Sequence, residues 1–221
     1  MRERPIIMSA PMVRAILAGT KSMTRRVVKI KNLDFVGGGP RDGADWNDPS
    51  CWGFEDCNTG RNWALASGDD GDDMFVCPYG EPGDRLWVRE TWRVMGESPE
   101  DTLDMFSRDD IQYRADRDES YIDKYRSSIH MPRWASRITL EIVGVRVERL
   151  QDISEADAVA EGVVPYAVYG GKPASWKASP DAIAARDTAV AAYRDLWESI
   201  NGPGSWDANP WVWVVAFRRV A

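Results

Sequence analysis

The sequence predicts an α+β fold: a small mixed or antiparallel β-barrel flanked by helices, all within one domain. Strand-like runs lie far apart in the chain, so distant segments must pair. The longest of them, residues 136–150, carries Gly144 near its middle, where a bulge or bend lets a sheet curl. The elements read in order as helix, strand, strand, long bent strand, short helix, long helix, strand.

Residues 11–18 read as the first helix. Ser9 or Ala10 stands at its cap, Pro11 suits the first turn and Gly19 stops it, with Met12, Ile16 and Leu17 expected to face the core. Residues 26–30 follow as a strand. Residues 33–80 are rich in Gly, Asp, Asn and Trp. Tracts such as Gly37-Gly38-Gly39-Pro40 and residues 67–73 are loop material, and Trp46, Trp52 and Trp63 are expected to dock part of this partly ordered insertion.

Pro82-Gly83-Asp84 is a turn leading into a strand at residues 85–92, with Leu86 and Val88 on one face and Arg85, Trp87 and Arg89 on the other. A second acidic insertion follows and holds a short strand at 111–115. In the long strand, Ile138, Leu140 and Ile142 alternate with polar neighbours up to Gly144, and Val145 and Val147 alternate beyond it. Residues 153–162 form a short helix capped by Ser154 and closed by Gly162. A longer helix is expected from Pro180 to about Ile200, with Ser179 as cap and Ile183, Val190, Tyr193, Leu196, Trp197 and Ile200 as its apolar face. The apolar run at 211–217 is the last strand. No internal repeat is present.

Composition narrows the function classes. With 43% hydrophobic residues and eleven tryptophans the chain can bury a core, so wholesale disorder is excluded. No apolar run reaches the eighteen residues needed to span a membrane, and residues 1–5 lack a signal-peptide core, so a cytoplasmic location is expected. Cys51, Cys57 and Cys77 are an odd set whose spacing matches no standard zinc pattern, so free thiols are expected and no metal or cofactor.

Charge is unevenly distributed. Residues 33–80 hold ten acids against two arginines, and residues 97–123 hold ten against three. The rest of the chain is therefore positive by eight although the whole stands at −7. Arg14, Lys21, Arg25, Arg26, Lys29 and Lys31 fall between Met12 and Lys31 without one acid. Such a strip on an acidic protein points to a site for an anion or a nucleotide-like ligand.

Four motifs, in order, carry a family resemblance. They are Gly19, Lys21, Thr24 and Arg26 after the first helix; Gly83-Asp84 before Leu86-Trp87-Val88; Ser154, Glu155, Ala158, Glu161 and Gly162 on the short helix; and the aromatic strand at 211–217. Together they resemble the ASCH domain, a branch of the PUA-like β-barrel superfamily, over residues 5–31, 81–95 and 136–219. The resemblance implies a single ASCH/PUA-like domain with insertions at about 33–80 and 97–128. Larger members with this layout are similar to bacteriophage or prophage proteins.

One bacterial branch of that family is similar to the N4-acetylcytidine amidohydrolases, and other relatives bind or cut RNA. By resemblance the catalytic residues are Lys21, Thr24 and Glu161. Thr24 supplies a nucleophilic hydroxyl. Lys21, its pKa lowered by burial and by neighbouring Arg25 and Arg26, accepts the proton, and Glu161 passes one to the leaving amine. Candidate ligand-binding residues are Arg25, Arg26, Trp87, Arg89, His130 and Trp211, with Trp213 as a further stacking wall. Three readings stay open at this stage: an amidohydrolase acting on a modified nucleoside, a non-catalytic module binding RNA or a modified base, and a ribonuclease in which Lys21 steadies phosphate charge. The partner in each case is a modified nucleoside or RNA, and no membrane. Oligomeric state is not legible.

Overall fold

The computed structural model describes residues 1–29, 53–56, 61–67, 73–75, 77–96, 100–116 and 125–220. The strands are β1 (Glu3–Ile7), β2 (Met23–Val27), β3 (Gly53–Asp56), β4 (Arg61–Ser67), β5 (Asp73–Phe75), β6 (Arg85–Arg89), β7 (Trp92–Val94), β8 (Ile111–Tyr113), β9 (Thr139–Arg149), β10 (Val164–Tyr169), β11 (Lys172–Lys177) and β12 (Trp211–Arg219). The α-helices are α1 (Ala10–Leu17), α2 (Glu155–Ala160) and α3 (Ala189–Asn201). The fold is mixed α+β.

Five strands form the main sheet in the order β1-β6-β9-β12-β2. Only β1 and β6 run parallel; the other neighbours are antiparallel. Among the described residues no ladder joins the two outer strands. Instead Nη2 of Arg26 on β2 donates to the Ile7 carbonyl at the end of β1, at 2.6 Å. β1 is not among the elements expected from the sequence, and it contains Pro5. An edge position tolerates it, since proline has no N–H to give to a ladder.

The last strand, β12, lies inside the sheet, between β9 and β2, and this explains its unbroken apolar run. Trp211, Trp213, Val215 and Phe217 enter the core beneath α1, with Ile6, Met8, Val13, Ile16, Leu86, Leu140 and Ile142. Val212 and Val214 face the opposite side, where α2 and α3 bring Ala158, Ala192, Tyr193 and Trp197. A strand buried on both faces loses the polar alternation of a half-buried one. Opposite Ala216 and Phe217 the register of β9 jumps at Val143, next to Gly144, so the expected bulge is there. In α1 the buried residues are Val13 and Ile16, whereas Leu17 is exposed, a correction to the expected face.

The long helix α3 starts at Ala189, nine residues later than expected. Its first amides are satisfied at that point: Thr188 Oγ1 accepts from Ala191 N at 3.1 Å, and the Glu155 carboxylate accepts from Ala189 N at 2.7 Å. Ser179 and Pro180 lie in turns after the β10–β11 hairpin, and Ile183 is fully exposed. That hairpin turns at Gly170 and Gly171, both at positive φ, a two-residue turn signal that the sequence carries.

The first insertion is not only loop, for β3, β4 and β5 form an antiparallel sheet within it. Residues 37–40, Trp46, Trp52, Cys51, Cys57, Ile30 and Lys31 lie outside the described residues, as do residues 68–72 and the side chain of Trp63. The second insertion pairs β7 with β8 over a small core of Trp92, Val94, Ile111, Tyr113, Met131 and Ala135. The expected strand at 85–92 ends at Arg89, and a new strand begins at Trp92.

Candidate functional site

The Gly19 turn after α1 places Lys21 at the heart of the molecule. Gly19 adopts φ +74°, and the amides of Thr20 and Lys21 both donate back to the Ala15 carbonyl, closing the helix end. The next amide, Ser22, donates to the Ala160 carbonyl at the end of α2. Two helix ends thus meet, and the Lys21 side chain is trapped between them. Its ammonium donates to Glu161 Oε2 at 2.7 Å and to the Glu161 carbonyl at 2.8 Å. An acid in a last helical turn faces exposed carbonyls and is disfavoured on its own. Lys21 resolves this by neutralising the carboxylate and the orphan carbonyl together.

Gly162 makes the approach possible. It adopts φ +99°, and a Cβ there would stand 3.2 Å from the Ala15 Cβ and 3.3 Å from the Lys21 Cβ. A side chain there would crowd both helix ends, on a backbone that other residues rarely adopt.

Glu161 is a hub. Besides Lys21, its carboxylate accepts from Arg25 Nη1 at 3.3 Å, and Oε1 is 3.5 Å from the Tyr193 hydroxyl on α3. Arg25, whose side chain is fully buried, also donates to Glu148 on β9 and to Asp157 on α2. Arg146 binds the same two acids from outside. Burial alone would lower the Arg25 pKa, but the adjacent Glu161 and Glu148 carboxylates outweigh it and hold the guanidinium charged. Burial likewise pushes Lys21 down from its ordinary value; Glu161 offsets this only in part, and Arg26 and Arg25 push in the same direction as burial. Burial raises the Tyr193 phenol well above its usual range, and the Glu161 charge adds to the effect.

A cavity of about 510 Å³ opens over this hub, within the size range of small-molecule sites. It wraps the outer edge of β2. Thr24 and Arg26, two apart, project to the face shared with Trp213 and Val215, while Arg25 projects to the face of Tyr193. The cavity is therefore lined from both sides: Thr24, Arg26, Tyr79 and Trp213 on one, Glu161, Tyr193 and Trp197 on the other. Thr24 is buried, yet among the described residues its hydroxyl has no hydrogen-bond partner.

Lys21, Thr24 and Glu161 come together, but unequally. Thr24 and Glu161 line the cavity, whereas Lys21 is hidden behind Glu161 with no exposed side-chain surface. A lysine so enclosed cannot reach a phosphate, which counts against the role it would need in a ribonuclease.

Arg25 and Arg26 are both cavity residues. Trp87, Arg89, His130 and Trp211 do not line the cavity. Trp87 lies under the guanidinium groups of Arg89 and Arg133, and Arg89 donates to the Met131 carbonyl. His130 is exposed in a short turn, Ser128–His130. Trp211 sits beneath Arg149, whose guanidinium is 4.2 Å from the ring centroid. The strand alternation that selects Trp211 and Trp87 does not say which end of the sheet carries the cavity, and β6 lies three strands from β2. Tyr79 is a wall residue that no sequence signal marks. Tyr193 and Trp197, expected only in the core, also reach the cavity, because the helix face that bears them packs toward the Thr24 strand.

Among the described residues no cluster of His, Cys, Asp and Glu is arranged to hold a metal ion. Cys77 is a buried thiol, raised in pKa by that burial. Among the described residues no helix is long and apolar enough to cross a membrane. Comparison of the chain with known protein families, with curated proteins and with solved structures finds no match.

Proposed function

We propose that the chain is an ASCH-type protein of PUA-like barrel architecture that hydrolyses the amide of an acylated nucleoside, of which N4-acetylcytidine is the simplest example. The observation that carries this reading is that the Thr24 hydroxyl, without a hydrogen-bond partner among the described residues, lines the same cavity as the Glu161 carboxylate, which the buried Lys21 ammonium holds from behind. The ring faces of Tyr79, Trp197 and Trp213 suit a planar base.

In this reading Thr24 Oγ1 forms a bond to the acyl carbonyl carbon as its proton passes to Glu161. The carbon–nitrogen bond then breaks, and the same proton goes to the departing amine. Water attacks the resulting Thr24 ester, releasing the carboxylic acid and restoring the hydroxyl. Lys21 acts behind Glu161 and fixes its position and charge without touching the substrate.

Among the described residues no base is hydrogen-bonded to Thr24, which favours a second reading, a module that binds a modified base without turning it over. Incubation with N4-acetylcytidine and other N-acylated nucleosides, followed chromatographically, separates the two. Release of the free nucleoside by the wild type and not by Thr24→Ala is the expected result. Intact acyl nucleosides after prolonged incubation with excess protein would leave the binding reading.

A further inference from the structure

The cationic strip noted in the sequence is sorted by the fold into neutralised and unneutralised charges. Arg14 pairs with Asp181, Lys21 with Glu161, and Arg25 with Glu148, Asp157 and Glu161. Arg26 and Lys29 remain among the described residues, and Lys31 lies outside them. Among the described residues neither has an acidic partner. Both line the cavity, one above Thr24 on the same face of β2 and the other just beyond the strand. Among the described residues the only oxygen that Arg26 reaches is the Ile7 carbonyl, and its Nε is buried with no hydrogen-bond partner. A buried donor left unpaired is costly and is normally met by a partner or a ligand. Lys29, by contrast, is exposed and free to move onto a bound group.

From this we infer that the Arg26–Lys29 side of the cavity is a phosphate subsite, so the ligand is a nucleotide or a phosphodiester-linked nucleotide rather than a free nucleoside. This rests on the reading of the cavity as a nucleoside pocket. The phosphate would lie against the Arg26 guanidinium and the Lys29 ammonium, with the base between Tyr79, Trp213 and Trp197. Glu161 and its partners stay clear of the phosphate, because the carboxylate would repel it. An anion held on one side of the cavity also fixes which end of the nucleoside is turned toward Thr24.

The test is binding, not turnover, so it does not depend on chemistry at Thr24. Cytidine, cytidine 5′-monophosphate, cytidine 3′-monophosphate and a short oligocytidylate are titrated by calorimetry into the wild type and into Lys29→Ala, Arg26→Gln and the double variant. The wild type is expected to bind at least one phosphorylated ligand about tenfold or more tighter than cytidine, as a charge-assisted contact gives. Lys29→Ala and Arg26→Gln should each erode that preference, and the double variant should lose it while still binding cytidine. For the oligocytidylate, the slope of log affinity against log salt should fall by roughly 0.7 for each cation lost. A preference for the monophosphates points to a free nucleotide, and a preference confined to the oligomer points to a nucleic-acid strand.

Because Arg26 also holds Ile7, Lys29→Ala is the deciding variant if Arg26→Gln unfolds. Equal affinity for cytidine and every phosphorylated form overturns the subsite and leaves the nucleoside pocket standing. A phosphate preference that survives Lys29→Ala undiminished overturns it as well. No binding of any ligand overturns both.

Discussion

The Lys21 ammonium lies 2.7 Å from Oε2 of Glu161 and 2.8 Å from the carbonyl oxygen of the same residue, 140 positions away in sequence. Both side chains are at most 2% exposed. Leaving one of two such charges without the other costs about 3–5 kcal/mol, because the survivor stays buried. Lys21→Met and Glu161→Gln are each expected to destabilise by that order. The double variant should lose clearly less than the sum, since Arg25 keeps Glu148 and Asp157. A double-mutant cycle in denaturant checks this, and simple additivity would contradict the coupling.

Thr24→Val changes the cavity wall without breaking a hydrogen bond. Stability should not fall, because the buried hydroxyl that is removed has no partner among the described residues and its desolvation is relieved. Deacylation should fall by about 10³-fold or more if Thr24 is the nucleophile. Thermal melts and a progress curve on the same preparation separate the two effects. Retained turnover in the folded variant removes Thr24 from the chemistry.

Lys21 also predicts a pH dependence. Its folded-state pKa lies below the ordinary lysine value of 10.5, chiefly through burial. Below 10.5, and down to that depressed value, the unfolded chain binds more protons than the folded one, so stability rises with pH across the window. Tyr193, held well above 10.0 by burial, acts in the opposite sense once pH exceeds its unfolded value. The rise therefore belongs below pH 10. The stability difference between wild type and Lys21→Met should grow in the wild type's favour as pH climbs toward 10. A difference independent of pH would show that Lys21 titrates normally.

Gly162→Ala places a methyl group 3.2 Å from Ala15 and 3.3 Å from Lys21 on a backbone at φ +99°. Strain and crowding together should cost about 1–3 kcal/mol. The loss should come with a displaced Glu161, seen as weaker ligand binding. By comparison, Gly19→Ala meets no atom within 4 Å and carries only the cost of its positive φ. Equal losses at the two glycines would show that the contact with Lys21 does not matter.

Much of the site is legible in the sequence because its residues come in short local signals. Gly19, Lys21 and Thr24 are fixed by one turn and one strand entry, and Ser154, Glu161 and Gly162 by one helix and its ends. Glu161 is an acid at a helix end, where the exposed carbonyls disfavour it, and the fold answers with Lys21. The misreadings are of another kind. Trp87, His130 and Trp211 are candidates by residue type, and type does not say on which side of a five-stranded sheet a pocket opens. Tyr79 leaves no local trace because it reaches the cavity through tertiary packing alone. The helix start at Ala189 is hidden because one of its caps, Glu155, belongs to a different helix. β1 is masked by a proline that only an edge position accommodates.

The interior place of β12 has a consequence for how the molecule is made. Until this strand leaves the ribosome, β2 and β9 have no neighbour to join them, and neither Thr24 nor Glu148 has a framework. The nascent chain must carry β2 as an unpaired edge until everything up to β12 has been synthesised. Assembly then hinges on long-range contacts that form late and slowly. A truncation short of Trp211 would therefore abolish the cavity outright rather than trim it.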